Sequence, residues 1–332
     1  MNIKWKEQHY NNSCASACLA MLLSHREIDK QDTDVIKETE MQYLIQLDQN
    51  SDSYKAGVLV QGNRYFNLML NQYGLKLNEY KYSDWDGYIT KVNSLLNTST
   101  PFMTGINPKY LRSQPSINSR DGSHAIVVYD KIDSHYMCLD PDLNLSRDIE
   151  YKFEDVQNKV RHGLPYEQFL LAVTRRNAGN PLIIGYLEYT DIKSDEKLLI
   201  ISESIIAIES YLSIAQKKLD NLRLVDNIPS SDEFYDFIMT IIKPIALDLN
   251  TAISISDDEV NNTAILAELE IFKKYVLKVQ DAIKKRTITN WQDSKDKLVH
   301  EISRIQNRIL RHLNDRFNEL NPSCAAGLCK ES

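Results

Sequence analysis

The chain is poor in glycine and proline, with 10 and 9 among 332 residues. Long disordered linkers are rich in such residues and in polar tracts, so none is expected here. Cysteine is scarce and odd in number: Cys14, Cys18, Cys138, Cys324 and Cys329. Five scattered thiols make a poor disulfide framework, which points to a reducing, cytoplasmic setting. Positive charge is not in excess, and the formal net charge is −7. A nucleic-acid partner calls for a basic surface that neutralises phosphates, so that class is set aside. Long apolar runs are missing too. Met1 to Gln8 lacks the apolar stretch of a signal peptide. Elsewhere the apolar stretches are helix-periodic and broken by charges, so no membrane span is expected.

What is present is ordinary for a globular protein: 42% hydrophobic and 26% charged residues. The length suggests about two domains. The first half is mixed α/β. A helix is expected from about Cys14 to His25, capped by Ser13, with Ala17, Cys18, Met21 and Leu22 on one face. A polar, acidic stretch follows from Asp29 to Ser53. Gly57 to Tyr73 reads as a helix ended by Gly74 in the C′ position. Leu75 to Tyr82 reads as a strand, Trp85 to Leu96 as a helix and Pro101 to Gly105 as a short strand. His124 to Tyr129 and His135 to Leu139 read as the two strands of a hairpin, ended by Asp140-Pro141.

Composition changes at Asn177-Ala-Gly-Asn-Pro181. Leu182 to Tyr189 reads as a short apolar tie between halves. From Ser194 the apolar period is helical. Four stripes recur, led by Ile201/Ile205/Ile208, Phe234/Phe237/Ile241, Leu269/Phe272/Val276 and Ile302/Ile305/Ile309. Pro244 is expected to kink the second of these helices. Such stripes must bury on each other, so a helical bundle is expected. The basic run Lys284-Lys285-Arg286 complements the end of the third helix.

The chemistry starts from Cys14. A thiolate forms readily at a helix N-terminus, where the dipole favours negative charge. A base must reach it, and a third group must fix the tautomer of that base. His124 opens one hairpin strand and Asp140 closes the other, so their side chains can pair across the open end. Asp142 is a rival orienter. Gln8, six residues before Cys14, can supply an oxyanion donor beside the Cys14 backbone N–H. Taken singly, each has a plainer reading. A cysteine in an Ala/Leu-rich helix is core packing, a histidine at a strand start is a cap or core residue, and Asp before Pro is a turn residue.

The ordered set carries more than its members. Gln8-His-Tyr-Asn-Asn-Ser-Cys14-Ala-Ser-Ala-Cys-Leu-Ala-Met21, then Gly57 to Leu75, then His124-Ala-Ile-Val-Val-Tyr and Asp140-Pro141 resemble the C39 peptidases. These are papain-like domains that clip double-glycine leader peptides. The likeness runs from about Lys6 to Arg175. It implies an α+β, papain-like catalytic domain over 1–178, to which composition and the helical periods add a linker over 179–193, a helical bundle over 194–322 and an irregular tail over 323–332. It further implies Cys14 as nucleophile, His124 as base, Asp140 as orienter and Gln8 as oxyanion donor, with no metal or organic cofactor. The chain departs from the family in having Ser13-Cys14-Ala15 where Asp-Cys-Gly is usual. It also carries a helical bundle where many members have a transporter membrane domain and an ATPase.

Three functions share this chemistry. One is a peptidase acting on a peptide substrate through a Cys14 thioester. The second is an amide-forming acyltransferase that moves an acyl group from a carrier-protein thioester to an amine acceptor, as similar papain-like enzymes do in natural-product assembly. The third is a non-catalytic module that binds leader peptides. Cys18, one turn after Cys14, reads as core packing over a redox or metal pair. Cys324 and Cys329 read as free thiols of a frayed tail, over a metal site with His312 or a small disulfide. His135 and His162 have no partner that the pattern reveals.

Overall fold

The two kinds of sequence become two units in the computed structural model, which describes residues 3–10, 12–60, 62–110, 123–142, 161–176, 181–191, 196–256 and 259–321. One unit takes Met1–Thr39 and Gln61–Ser194, and the other takes Glu40–Val60 and Asp195–Ser332. The sequence places one crossing between domains, a linker over 179–193 from 1–178 to 194–322. In the structure the chain leaves the first unit at residue 40 and returns at 61.

The first unit begins with an extended segment and α1 (Cys14–His25). Alanine and leucine favour this helix, and every residue from Ala15 to Leu23 is buried. A helix apolar all round belongs inside a core, so α1 is a central helix rather than the one-faced helix expected. A short helix α2 (Asp32–Glu38) follows. The next elements, β1 (Ile45–Asp48) and β2 (Ser53–Ala56), belong to the other unit. The first unit resumes with α3 (Asn63–Leu70), shorter than the pattern suggested. Gly74 ends this segment at φ +64°, the left-handed conformation that glycine adopts without strain.

Six strands then form one sheet: β3 (Leu75–Tyr82), β4 (Phe102–Ile106), β5 (His124–Ile132), β6 (His135–Leu139), β7 (Arg161–Pro165) and β8 (Leu182–Tyr189). Their spatial order is β3-β8-β4-β5-β6-β7, and every neighbouring pair is antiparallel. The segment read as a tie between halves is therefore an interior strand. β8 runs in register with all of β3, from Leu75↔Tyr189 to Tyr82↔Leu182, and pairs with β4 at Met103↔Gly185. Its apolar residues Ile184, Tyr186 and Leu187 are buried, which explains why it is taken into the sheet. The β5–β6 hairpin forms as expected, lengthened to Ile132 by a bulge between Val128 and Asp130. α4 (Trp85–Asn97) and α5 (Tyr166–Thr174) bury Tyr88, Val92 and Phe169 with Phe102, Ile126 and Val128.

The second unit is mainly helical: α6 (Lys197–Glu209), α7 (Tyr211–Asp220), α8 (Ser231–Phe237), α9 (Asn250–Ile255), α10 (Glu259–Lys284) and α11 (Trp291–Leu320). The stripes read from the sequence meet in one core that includes Ile201, Ile208, Phe237, Ile241, Phe272, Val276, Ile302 and Ile305. Between α8 and α9 the backbone is π-helical, and the chain bends by 42° at Pro244. Proline lacks the N–H that would continue the ladder, and a kink results. The hairpin of β1 and β2 joins this core through Tyr43, Ile45, Tyr54 and Ala56. The Tyr54 hydroxyl donates to the Ala207 carbonyl at 3.1 Å, and the Ile45 N–H donates to Ser204 Oγ at 3.1 Å. Gly57, at φ +53°, lies so close to Asp248 that a Cβ there would be 2.3 Å from its carbonyl oxygen. Lys197–Asp220 has the length and mean hydropathy, 1.7, of a membrane span, which the sequence reading did not expect. It is interrupted at Ser210, and its residues Ile201, Ile208, Tyr211, Ala215 and Leu219 fill the bundle core.

Candidate active site

The extended start of the chain is tied down along its length. The Lys4 N–H donates to Ser24 Oγ at 3.0 Å, and both Lys4 and Lys6 reach Asp29. The Trp5 indole N–H donates to the Asp140 carbonyl at 2.7 Å, and the Gln8 N–H donates to the Pro141 carbonyl at 2.9 Å. Gln8 is thereby fastened to the corner that carries Asp140. Its side-chain amide has no hydrogen-bond partner among the described residues, and its Oε1 is buried. A buried amide without a partner costs free energy unless a ligand completes it.

Cys14 is the first residue of α1. Ser13 precedes it but does not cap the helix as expected. Its hydroxyl instead donates to Asp32 Oδ2 at 2.7 Å and lies 2.9 Å from the Tyr10 carbonyl. Asp32, fully buried at the start of α2, also accepts from the His9 N–H at 2.7 Å and pairs with His9 Nδ1 at 2.5 Å. One carboxylate thus organises the turn that delivers Cys14. Nothing in the sequence marked Asp32 for this, because an aspartate in a first helical turn is ordinarily a dipole complement.

The structure brings His124 to Asp140. His124 Nε2 lies 2.8 Å from Asp140 Oδ1, and both side chains are nearly buried. The pairing Val127↔Leu139 sets the register, so His124 and Asp140 stand on one face of the hairpin as diagonal neighbours. An acceptor on Nε2 keeps the proton there and leaves Nδ1 for the sulfur. Asp142 turns its backbone instead, donating its N–H to Asp140 Oδ1 at 2.8 Å.

The electrostatics follow from these contacts. Burial pushes the Cys14 thiol up, but the hydrogen bond and charge of His124, with the amides of Ala125 and Ala15, outweigh it, and the thiol lies below its ordinary range. Burial pulls His124 down, but Asp140, then Cys14, hold it well above the ordinary imidazole range. Each shift runs toward the charged form, thiolate for Cys14 and imidazolium for His124. The other described cysteines behave oppositely. Cys18 and Cys138 are buried, and desolvation raises both thiols, helped by Asp140. Among the described residues, no cluster of three His, Cys, Asp or Glu side chains is arranged to hold a metal ion. Cys324 and Cys329, and the side chain of His162, lie outside the described residues. His135 is exposed at the far end of the hairpin.

No curated protein matches the chain. Among solved structures, one similar chain is a double glycine motif protease from an AMS/PCAT transporter in complex with the leader peptide. It has 15% identity and a TM-score of 0.33, over 57% of this chain and 93% of that one. Another is a C39-like peptidase from Bacillus anthracis, with 14% identity and a TM-score of 0.36, over 57% of this chain and 96% of that one. Residues 1–167, half of the chain, match the model of the Peptidase_C39 like family, and the chain belongs to that family.

Proposed function

We propose that the chain is a cysteine-dependent acyl-transfer enzyme of the peptidase type, with Cys14 as nucleophile, His124 as acid and base, and Asp140 as orienter. The observation that carries this is the pairing of a lowered thiol with a raised imidazole, the latter held at 2.8 Å by a buried carboxylate. The Cys14 thiolate attacks the substrate carbonyl carbon. The oxyanion that forms is met by the Cys14 backbone N–H and the side-chain Nε2–H of Gln8. The C–N bond breaks as His124 gives its proton to the leaving amine, which leaves a Cys14 thioester. Water then gives its proton to His124 and attacks the thioester, and a carboxylic acid and the free Cys14 thiol result. No step calls for a metal or an organic cofactor.

An amine in place of that water would turn the same intermediate into an amide. The test therefore follows the intermediate. Wild type and Cys14→Ala are incubated with leader-type peptides and with carrier-protein acyl thioesters, with and without an added amine, and their intact masses are measured. Cleaved peptide that needs Cys14 and no amine is the expected result. A Cys14 acyl adduct released only by amine would make the chain an acyltransferase. No adduct and no product from either substrate class would leave only a binding module.

A further inference from the structure

Arg176 lies just after α5. In the structure its guanidinium lies flat on β4 at Gly105. A Cβ at Gly105 would stand 2.3 Å from Nη1, 2.4 Å from Cζ and 2.5 Å from Nε of Arg176. Only a glycine admits the guanidinium in this position. Gly105 has no left-handed φ that would otherwise require glycine, so the space it leaves is its evident use. Arg176 Nε donates to Ser123 Oγ at 2.7 Å, which fixes the plane of the group beside His124. In the strand register Gly105 pairs with Ala125, whose backbone N–H meets the Cys14 sulfur.

The guanidinium is anchored through Nε alone. Among the described residues its two terminal nitrogens have no acceptor, and no carboxylate forms an ion pair with it. Glu79 acts on it only at longer range and is engaged with Lys81 at 3.2 Å. Burial draws the arginine down, and the charges of Cys14, Glu79 and Tyr88 act back on it. The lowering of the Cys14 thiol itself is led by His124 and two backbone amides. A cation held on a glycine, whose planar fork has no acceptor among the described residues, matches a carboxylate in geometry.

We propose that Arg176, seated on Gly105 and anchored by Ser123, is a substrate-recognition residue that binds a carboxylate close to the acyl group attacked by Cys14. The substrate class is accordingly a peptide or acyl donor that carries an acidic group near the reacting carbonyl. A carboxylate is preferred to a phosphate because a single guanidinium provides one fork, whereas phosphate sites commonly gather several donors. The inference rests on Cys14 being the activated nucleophile, and its test separates the two.

The rate of Cys14 alkylation is measured with iodoacetate and with neutral iodoacetamide, and the modified residue is mapped by peptide mass spectrometry. The wild type, Arg176→Gln, Arg176→Lys and Gly105→Ala are compared. The acetate-to-acetamide rate ratio is expected to fall about tenfold in Arg176→Gln, the scale of one charge-assisted hydrogen bond. Gly105→Ala is expected to reproduce that fall with the arginine still present, because the new methyl displaces it. Arg176→Lys is expected to lie between. An unchanged ratio in Arg176→Gln overturns the inference, even where Cys14 reacts fast. Both rates falling together also overturns it, since the arginine would then act on the nucleophile. Acetate is expected to protect Cys14 from iodoacetamide in the wild type more than phosphate does, and the reverse order overturns the carboxylate assignment. A wild-type Cys14 no more reactive than an ordinary free thiol would instead sink the nucleophile reading.

Discussion

Both units bury an apolar core, but they differ in the polar groups buried beside it. Within the first, charged and polar groups are buried and answer one another: His124 with Asp140, and Asp32 with Ser13. At the heart of the second, aromatic and aliphatic side chains meet, with Phe234, Phe237, Phe272, Leu298 and Ile305 almost wholly enclosed. Apolar burial is non-directional and tolerant of small shifts. Buried charge is directional and costly when a partner is lost. The difference implies that changes at the first centre act on reactivity, while changes at the second act on stability.

The strongest test of that contrast is Cys14→Ala. Acyl transfer should fall by about 10⁴-fold or more, as when any nucleophile of a triad is removed, while the urea midpoint stays near the wild type. A large loss of stability would break the comparison. Next is Phe272→Ala, which opens a cavity among fully buried neighbours in the bundle. About 3–5 kcal/mol of stability should be lost, read from the unfolding of the helical signal in urea. A midpoint that does not move would show the bundle core to be less tightly packed than described.

Asp140→Asn should have a smaller effect on rate, about tenfold to a hundredfold, because the amide can still accept from His124. Its signature is in the pH profile. The charge of Asp140 holds His124 up, so its removal lets the imidazolium lose its proton at lower pH. The alkaline limb then moves down. Cys14, which is lowered by His124, loses part of that support, and the acid limb moves up. A profile of unchanged width would refute the ion-pair account. The smallest effect is expected from Asp32→Asn, where one charged acceptor becomes neutral behind the turn of His9 to Ser13. Stability should fall by about 1–3 kcal/mol, and alkylation of Cys14 by iodoacetamide should slow only a few-fold. A complete loss of labelling would give Asp32 a more direct part than positioning.

The legibility of the two units differed for the same physical reason. The bundle was open to reading because each helix repeats its own apolar stripe, and the period is local. Even the bend at Pro244 follows from one residue and its missing N–H. The hairpin of His124 and Asp140 was also local, two strands joined by a short turn. The return of β8 to the middle of the sheet was not, because its partners lie far away, on β3 and β4. Nor was the loan of residues 40–60 to the bundle, since a polar stretch that hides Tyr43, Ile45 and Tyr54 shows no period of its own.

By itself the sequence determined the mixed first half and the helical second half, because local periods were enough, and it offered Gln8, Cys14, His124 and Asp140 as candidates through an ordered pattern that resembles a family. Only the tertiary structure decided that Asp32 takes Ser13 away from its helix cap, that Asp140 rather than Asp142 faces His124, and that Gly105 admits Arg176. These are contacts between residues distant in sequence. They depend on strand register and on space left by a missing side chain, which no local pattern records.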